Sequence, residues 1–163
     1  MATRSTQPIP EGHYTVTPVL TLEGAQKALD WYKKALGAET LSVNLTPDGK
    51  VAHAEIQVGN SRVMLNDPMA DAKSARQLGG SPVALWLYLE DCDRAFERAK
   101  AAGGKVNMPI ADQFWGDRVG SVIDPFGIQW TFATHKEDVS EKEMNRRMEE
   151  FFSHAAETAG RHA

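Results

Sequence analysis

The stretch Trp115–Phe132, WGDRVGSVIDPFGIQWTF, decides how the rest of the chain is read. Trp115–Ile123 is extended and rich in β-branched residues, Asp124-Pro125-Phe126-Gly127 has turn chemistry, and Ile128–Ala133 resumes as a strand. Pro125 presets one φ and Gly127 is free to take a positive one. The prediction is a hairpin, and its pattern recurs earlier in the chain at a fixed distance.

Immediately upstream, Pro82–Leu89 reads as a strand, Asp91–Ala102 as a helix closed by Gly103-Gly104, and Lys105–Met108 as a short strand. With the hairpin this makes strand, helix, three strands. The same order stands before it. Tyr14–Leu20 alternates as a strand, with Pro18 suggesting an edge position. Glu23–Leu36 sets Ala25, Ala28, Leu29, Tyr32 and Leu36 at helical spacing ahead of Gly37. Glu39–Leu45, Val51–Val58 and Arg62–Asn66 follow as three strands, divided by Pro47-Asp48-Gly49 and Gly59-Asn60. A single offset of 67 residues superposes Leu22-Glu23 on Leu89-Glu90, Ala28 on Ala95, Lys33 on Lys100, Gly37 on Gly104 and Gly49 on Gly116 without a gap.

The expected architecture is therefore α+β: two tandem βαβββ modules, residues 14–66 and 82–134, joined by a loop at 67–81. A flexible arm at 1–13 precedes them and a C-terminal helix and tail at 135–163 follow. In that tail Ser140-Glu141-Lys142-Glu143 is a capping box, and Met144, Met148 and Phe151 or Phe152 follow at helical spacing. Such a stripe has to be covered, by the chain's own sheet or by a second subunit.

Composition narrows the class of partner. The net charge of −4 and the lack of a dense Lys/Arg run argue against a nucleic-acid partner, because phosphate neutralisation needs a clustered basic face. Cys92, the only cysteine, excludes an intramolecular disulfide and a cysteine-based zinc site, and fits a reducing compartment. No apolar run approaches the length of a membrane span, and the N-terminus lacks the apolar core of a signal peptide. A cytoplasmic protein without a membrane partner is expected.

Three groups of residues carry a family resemblance: Leu29-Asp30-Trp31-Tyr32 through Leu36-Gly37, Leu89-Glu90-Asp91, and Asp124-Pro125-Phe126-Gly127 with its flanking strands. In these the chain resembles the vicinal oxygen chelate superfamily, which includes glyoxalase I, extradiol dioxygenases, and bleomycin and fosfomycin resistance proteins. It is most similar to the PhnB-like branch, which shares the Trp-Gly-Asp-Arg strand and the DPFG corner; the likeness covers roughly residues 14–150. The resemblance implies that the modules form a half-open, cup-shaped mixed sheet, that two chains form a homodimer, and that four inner side chains hold a divalent metal. Alignment puts those four positions at Thr17, Met64, Ala84 and Thr131. None offers imidazole or carboxylate, so the usual metal site is expected to be absent and no cofactor is expected. Strand alternation agrees with this register, since Val83, Leu85, Leu87 and Leu89 form an apolar face for a helix while Ala84, Trp86 and Tyr88 face the cup.

The inner face that remains is apolar and aromatic. Val19, Met64, Trp86 and Tyr88 project inward, Thr17, Asn66 and Thr131 add neutral hydrogen-bonding groups, and Phe114 and Trp115 stand where they can close the rim. These nine are the expected ligand-binding residues, and they describe a pocket for a flat, moderately polar organic molecule; the competing reading is that the aromatics fill a closed core. His53 and Glu55, two apart on a strand, share a face and offer two ligands of a displaced metal site, or else a polar solvent face; Gly120 and Val122 stand at their places in the repeat. Asp117 and Arg118 suit either a polar ligand or a structural ion pair, and Cys92 suits packing at a strand–helix junction. His13, His135, His154 and His162 do not cluster in sequence, and no catalytic residue is assigned. The leading expectation is a metal-free protein that binds a small aromatic or amphipathic molecule. A metal-dependent isomerase, lyase or dioxygenase with a displaced site, and a non-catalytic structural or interaction module, are the alternatives.

Overall fold

The structure is a computed structural model that describes residues 6–160, with side chains described through residue 154. Its elements are β1 (Val19–Thr21), α1 (Ala25–Leu36), β2 (Glu39–Leu45), β3 (Val51–Val58), β4 (Ser61–Asn66), β5 (Ala84–Tyr88), α2 (Cys92–Ala101), β6 (Lys105–Asp112), β7 (Asp117–Ile123), β8 (Gln129–His135) and α3 (Glu141–Gly160). Strand, helix, three strands occurs twice, as the repeat predicts. Each set makes one four-stranded mixed sheet, ordered β1-β4-β3-β2 and β5-β8-β7-β6. β1 runs parallel to β4 and β5 parallel to β8, while the remaining pairs are antiparallel. β1 and β5 therefore stand at equivalent sheet edges.

Within each module the helix is fixed by local chemistry. Asp67, just past β4, accepts hydrogen bonds from the Gly24 and Ala25 amides at 2.9 and 3.0 Å and from the Val51 amide at 2.8 Å. One carboxylate thus satisfies the orphan donors at the start of α1 and ties them to the start of β3. Gly37, at φ 70°, ends α1 and donates its amide to the Tyr32 carbonyl. In the second module the Asp91 side chain caps α2 by accepting from the Arg94 amide at 2.9 Å. Cys92 beside it is buried, in line with a packing role.

The two modules meet through their helices and the Asp124 corner. The Trp31 indole donates to the Ala102 carbonyl at 2.9 Å and Arg98 Nε donates to the Ala35 carbonyl at 2.8 Å, which locks α1 against α2. Tyr32 reaches from α1 into the second module, where its hydroxyl donates to Asp124 Oδ2 at 2.8 Å. The Trp130 indole donates to the same oxygen at 2.9 Å. Asp124 Oδ1 accepts from the Phe126 and Ile128 amides at 2.8 and 2.9 Å, closing the DPFG turn. Burial pushes the Asp124 carboxyl up, and burial together with Asp124 holds the Tyr32 phenol well above its ordinary value. The Tyr32 ring lies edge-on to Trp130 at 5.2 Å and to Phe126 at 6.3 Å, within one core that includes Leu22, Ile56, Leu65, Phe96 and Phe132.

Several element boundaries differ from the sequence reading. The first strand shrinks from Tyr14–Leu20 to Val19–Thr21, because Pro18 has no amide to donate; its carbonyl, accepting from the Met64 amide at 2.9 Å, makes the last link to β4. Trp115 and Gly116 belong to a turn before β7, and β6 runs to Asp112 with two breaks in register. The uninterrupted offset also fails across the middle strands of each module. Glu55 pairs with Met64 and Ser121 with Thr131, so the last strands keep the offset of 67 while β3 and β7 differ by 66. The corner around Pro125-Phe126-Gly127 is one residue longer than the Gly59-Asn60 turn, and His53 and Glu55 correspond to Val119 and Ser121 rather than to Gly120 and Val122.

The C-terminal helix docks by its middle. Phe151 packs 5.2 Å from Phe114, and Arg147 bonds the Phe114 carbonyl at 3.3 Å and Glu137 at 2.8 Å. The stripe is only partly covered, with Phe151 51% and Phe152 60% exposed.

Asp124→Asn keeps the two backbone bonds but turns a donor toward the Trp130 indole, leaving two buried donors face to face. It is expected to cost roughly 2–4 kcal/mol, and Tyr32→Phe about 1–2 kcal/mol, in urea denaturation. A wild-type midpoint for Asp124→Asn would contradict this account of the module junction.

Candidate functional site

β1 and β5 face one another without hydrogen bonding, and the seam between them holds two cavities. The first, about 260 Å³, is lined by Tyr14, Val16, Thr17, Arg62, Leu85, Trp86 and Trp130, among others. The second, about 390 Å³, lies along Val19, Thr21, Lys73, Leu78 and Val83, and both share Pro18 and Leu85. Each module contributes one wall, because each presents its edge strand to the seam.

The structure brings together some of the sequence-predicted residues and separates others. Thr17 and Trp86 line the same cavity, while Val19 lines the other and pairs in register with Met64. Met64 stands opposite Glu55, and the Asn66 amide is committed within its own sheet, donating to the Asp67 carbonyl at 2.9 Å. Trp86 pairs in register with buried Thr131, but Trp86 itself is 46% and Tyr88 64% exposed, their rings 6.2 Å apart. A closed, filled core is therefore not what these aromatics make. Phe114 and Trp115 meet edge-on at 5.1 Å and line neither seam cavity; Phe114 packs on Phe151 of α3, and the Trp115 indole donates to Asp117.

A polar node that the sequence reading missed lies beyond Tyr88. Buried Asp117 accepts from the Tyr88 hydroxyl at 2.9 Å and the Trp115 indole at 3.2 Å through one oxygen, and contacts His135 Nδ1 at 2.7 Å through the other. The second nitrogen of His135 reaches Asp138 at 3.0 Å. Burial pushes the Asp117 carboxyl up, but these hydrogen bonds outweigh it and hold it below its ordinary value. The bond to Asp117, then that to Asp138, raises the His135 imidazole. Only the β7–β8 register unites Asp117 with His135. Arg118 points elsewhere, forking onto Asp93 at 2.7 Å and bonding Asp112 at 3.1 Å, so both members of the Trp-Gly-Asp-Arg strand serve structural ion pairs.

The other polar cluster surrounds Glu55, which is only 8% exposed rather than part of a solvent face. Arg62 Nη1 donates to its Oε1, and His13 Nε2 lies 2.9 Å from its Oε2. Burial pushes the Glu55 carboxyl up, but Arg62 and His13 outweigh it and hold it below its ordinary value. Residues 12–13, expected to be loose, are thus fastened across the first module. A displaced metal site at His53 and Glu55 does not fit these residues: both carboxylate oxygens are already engaged, and the guanidinium beside them repels a dication. Among the described residues no group of three His, Cys, Asp or Glu side chains is placed to hold a metal ion, and no helix is long and apolar enough to cross a membrane.

Comparison with known proteins agrees with this architecture. An uncharacterised protein of Mycobacterium bovis is 39% identical over 138 residues, spanning 82% of this chain and 91% of the relative. The X-ray structure of an Arabidopsis thaliana gene product, 26% identical, superposes with a TM-score of 0.62 over 74% of this chain and 98% of the other. The PhnB protein of Bacillus cereus shares the fold, with a TM-score of 0.60 at 18% identity over 74% of this chain and 99% of its own. The family model described as "Glyoxalase/Bleomycin resistance protein/Dioxygenase superfamily" matches residues 12–132. With the tandem modules and the DPFG corner already in place, the chain belongs to the glyoxalase/bleomycin resistance protein/dioxygenase superfamily.

Proposed function

We propose that this chain binds a small, flat aromatic or amphipathic molecule in the seam between its two modules, without the metal set usual for its superfamily. The observation that carries this reading is the half-exposed Trp86 on the wall of a cavity that both modules build. A tryptophan left open to water gains free energy when a second apolar surface covers it. Thr17 offers a neutral hydrogen bond on the facing wall. Met64 and Thr131 contribute to the inner faces behind the seam, and Tyr88 extends the aromatic surface along β5. The engaged oxygens of Glu55 favour this reading over a metal-dependent one.

Neutral Nile red is the probe for the test, read by its fluorescence in a titration. Saturable binding is expected, and Trp86→Ala should weaken it about tenfold, or about 1.4 kcal/mol. Equal binding by wild type and variant would remove the seam from the account.

The chain is also read as a homodimer. Phe151 and Phe152 on α3, with Trp86 and Tyr88 on β5, are exposed aromatics that a second copy of the chain could cover. Sedimentation should give about twice the 17.9 kDa chain mass. Phe151→Glu with Phe152→Glu should return it to the single-chain value with unchanged helix content, whereas a wild-type protein that sediments as one chain refutes the assembly.

A further inference from the structure

The two seam cavities follow one another along the seam. In the first, Val16 and Thr17 stand with Trp86 and Leu87; in the second, Leu20 and Thr21 stand with Pro82 and Val83. Residue numbers rise along one wall as they fall along the other, so the edge of the first module and β5 pass the seam in opposite directions. Pro18 and Leu85 line both cavities and stand where the two meet. Pro18 has no amide to donate and its carbonyl is taken by the Met64 amide, so this edge offers an apolar ring at the meeting point. From Val83 to Leu87 the β5 wall measures roughly 13 Å, at about 3.3 Å per residue. Val16 on the first cavity and Val19, Leu78 and Val83 on the second are each more than half exposed, so an apolar stripe follows the seam through both. Neither lining includes an acidic side chain, although the chain carries 22 Asp and Glu. An apolar chain laid there desolvates no carboxylate.

We propose that the two cavities form one continuous groove and that its ligand is a neutral, linear amphipath: an aromatic head lies beside Trp86 in the first cavity, and an alkyl chain passes Pro18 and Leu85 to reach Leu78 and Val83 in the second. The inference rests on the seam reading above and narrows it from flat molecules in general to those that carry a chain. Covering exposed aliphatic side chains supplies the driving force, which grows with each methylene that enters the second cavity. That cavity therefore sets the preferred ligand length, and Val83 is a specificity-determining residue. Recesses of about 260 and 390 Å³ suit a small molecule, whereas a second copy of the chain would meet the seam as a broad face.

The test titrates the full chain calorimetrically with 4-alkylphenols from ethyl to octyl, and repeats the series with Val83→Asp. Val83 precedes β5 and is 61% exposed, so its replacement leaves the fold intact. Wild type should gain about threefold in affinity per added methylene. Val83→Asp should bind 4-ethylphenol as wild type does and 4-octylphenol about tenfold more weakly. Binding of 4-ethylphenol with no gain along the series shows a groove closed at Pro18 and Leu85, which overturns the proposal and leaves the seam reading standing. A gain that Val83→Asp does not reduce puts the chain outside the second cavity and also overturns it. If no member of the series binds, the seam reading itself fails, and the groove with it. A sedimenting mass halved by Val83→Asp assigns the stripe to contact between copies of the chain and overturns the proposal as well.

Discussion

One buried carboxylate joins the two halves of this molecule. Asp124 takes two backbone amides of its own turn on one oxygen and the side chains of Tyr32 and Trp130 on the other. Three of these donors belong to the second module and the fourth comes from the helix of the first. Because the site excludes water, each donor would be left unpaired if the group were removed, which is far costlier than the net value of the bonds themselves. The DPFG turn therefore shapes a hairpin and at the same time sets where α1 sits against β8.

That junction has a consequence at the sheet edges. With α1 and α2 locked together and Tyr32 anchored at Asp124, the modules are held by their helical faces. Their edge strands β1 and β5 come near each other but do not pair. Unpaired edges are ordinarily a liability, managed by shortening or by irregularity; here β1 is three residues long and follows a proline. The space left between the edges is lined by both modules, so it exists only in the assembled chain. Its chemistry is also two-sided, with the aromatic Trp86 supplied by one module and Arg62 by the other.

The parts of this arrangement that local pattern controls were legible in the sequence. Helical spacing from Ala25 to Leu36, the alternation that turns Trp86 and Tyr88 away from Leu85 and Leu87, and the DPFG corner each depend on neighbouring residues, and all three reappear in the fold. What depends on contact between distant residues was not legible. Glu55 looked solvent-facing because the residue that covers it, His13, lies 42 positions away in an arm whose composition suggests disorder. Asp117 and His135 are joined only by the register of two strands, and the extra residue in the intervening corner shifts that register against the first module. Phe114, read with Trp115 as a rim residue from size and loop position, instead meets the C-terminal helix, an element outside the repeat, while Trp115 packs edge-on against Phe114 and bonds Asp117. The inner-face set is thus divided by the structure between the seam, the sheet interiors and the α3 contact.

The central claim is that the seam is where this protein meets a small molecule. A crystal structure with 6-bromo-2-naphthoate tests it most directly, because the anomalous signal of bromine fixes the ligand's position and orientation independently of the protein density. The account predicts one bromine site per chain between β1 and β5, with the ring against Trp86. A bromine site at the exposed face of α3, with the seam vacant, would contradict it.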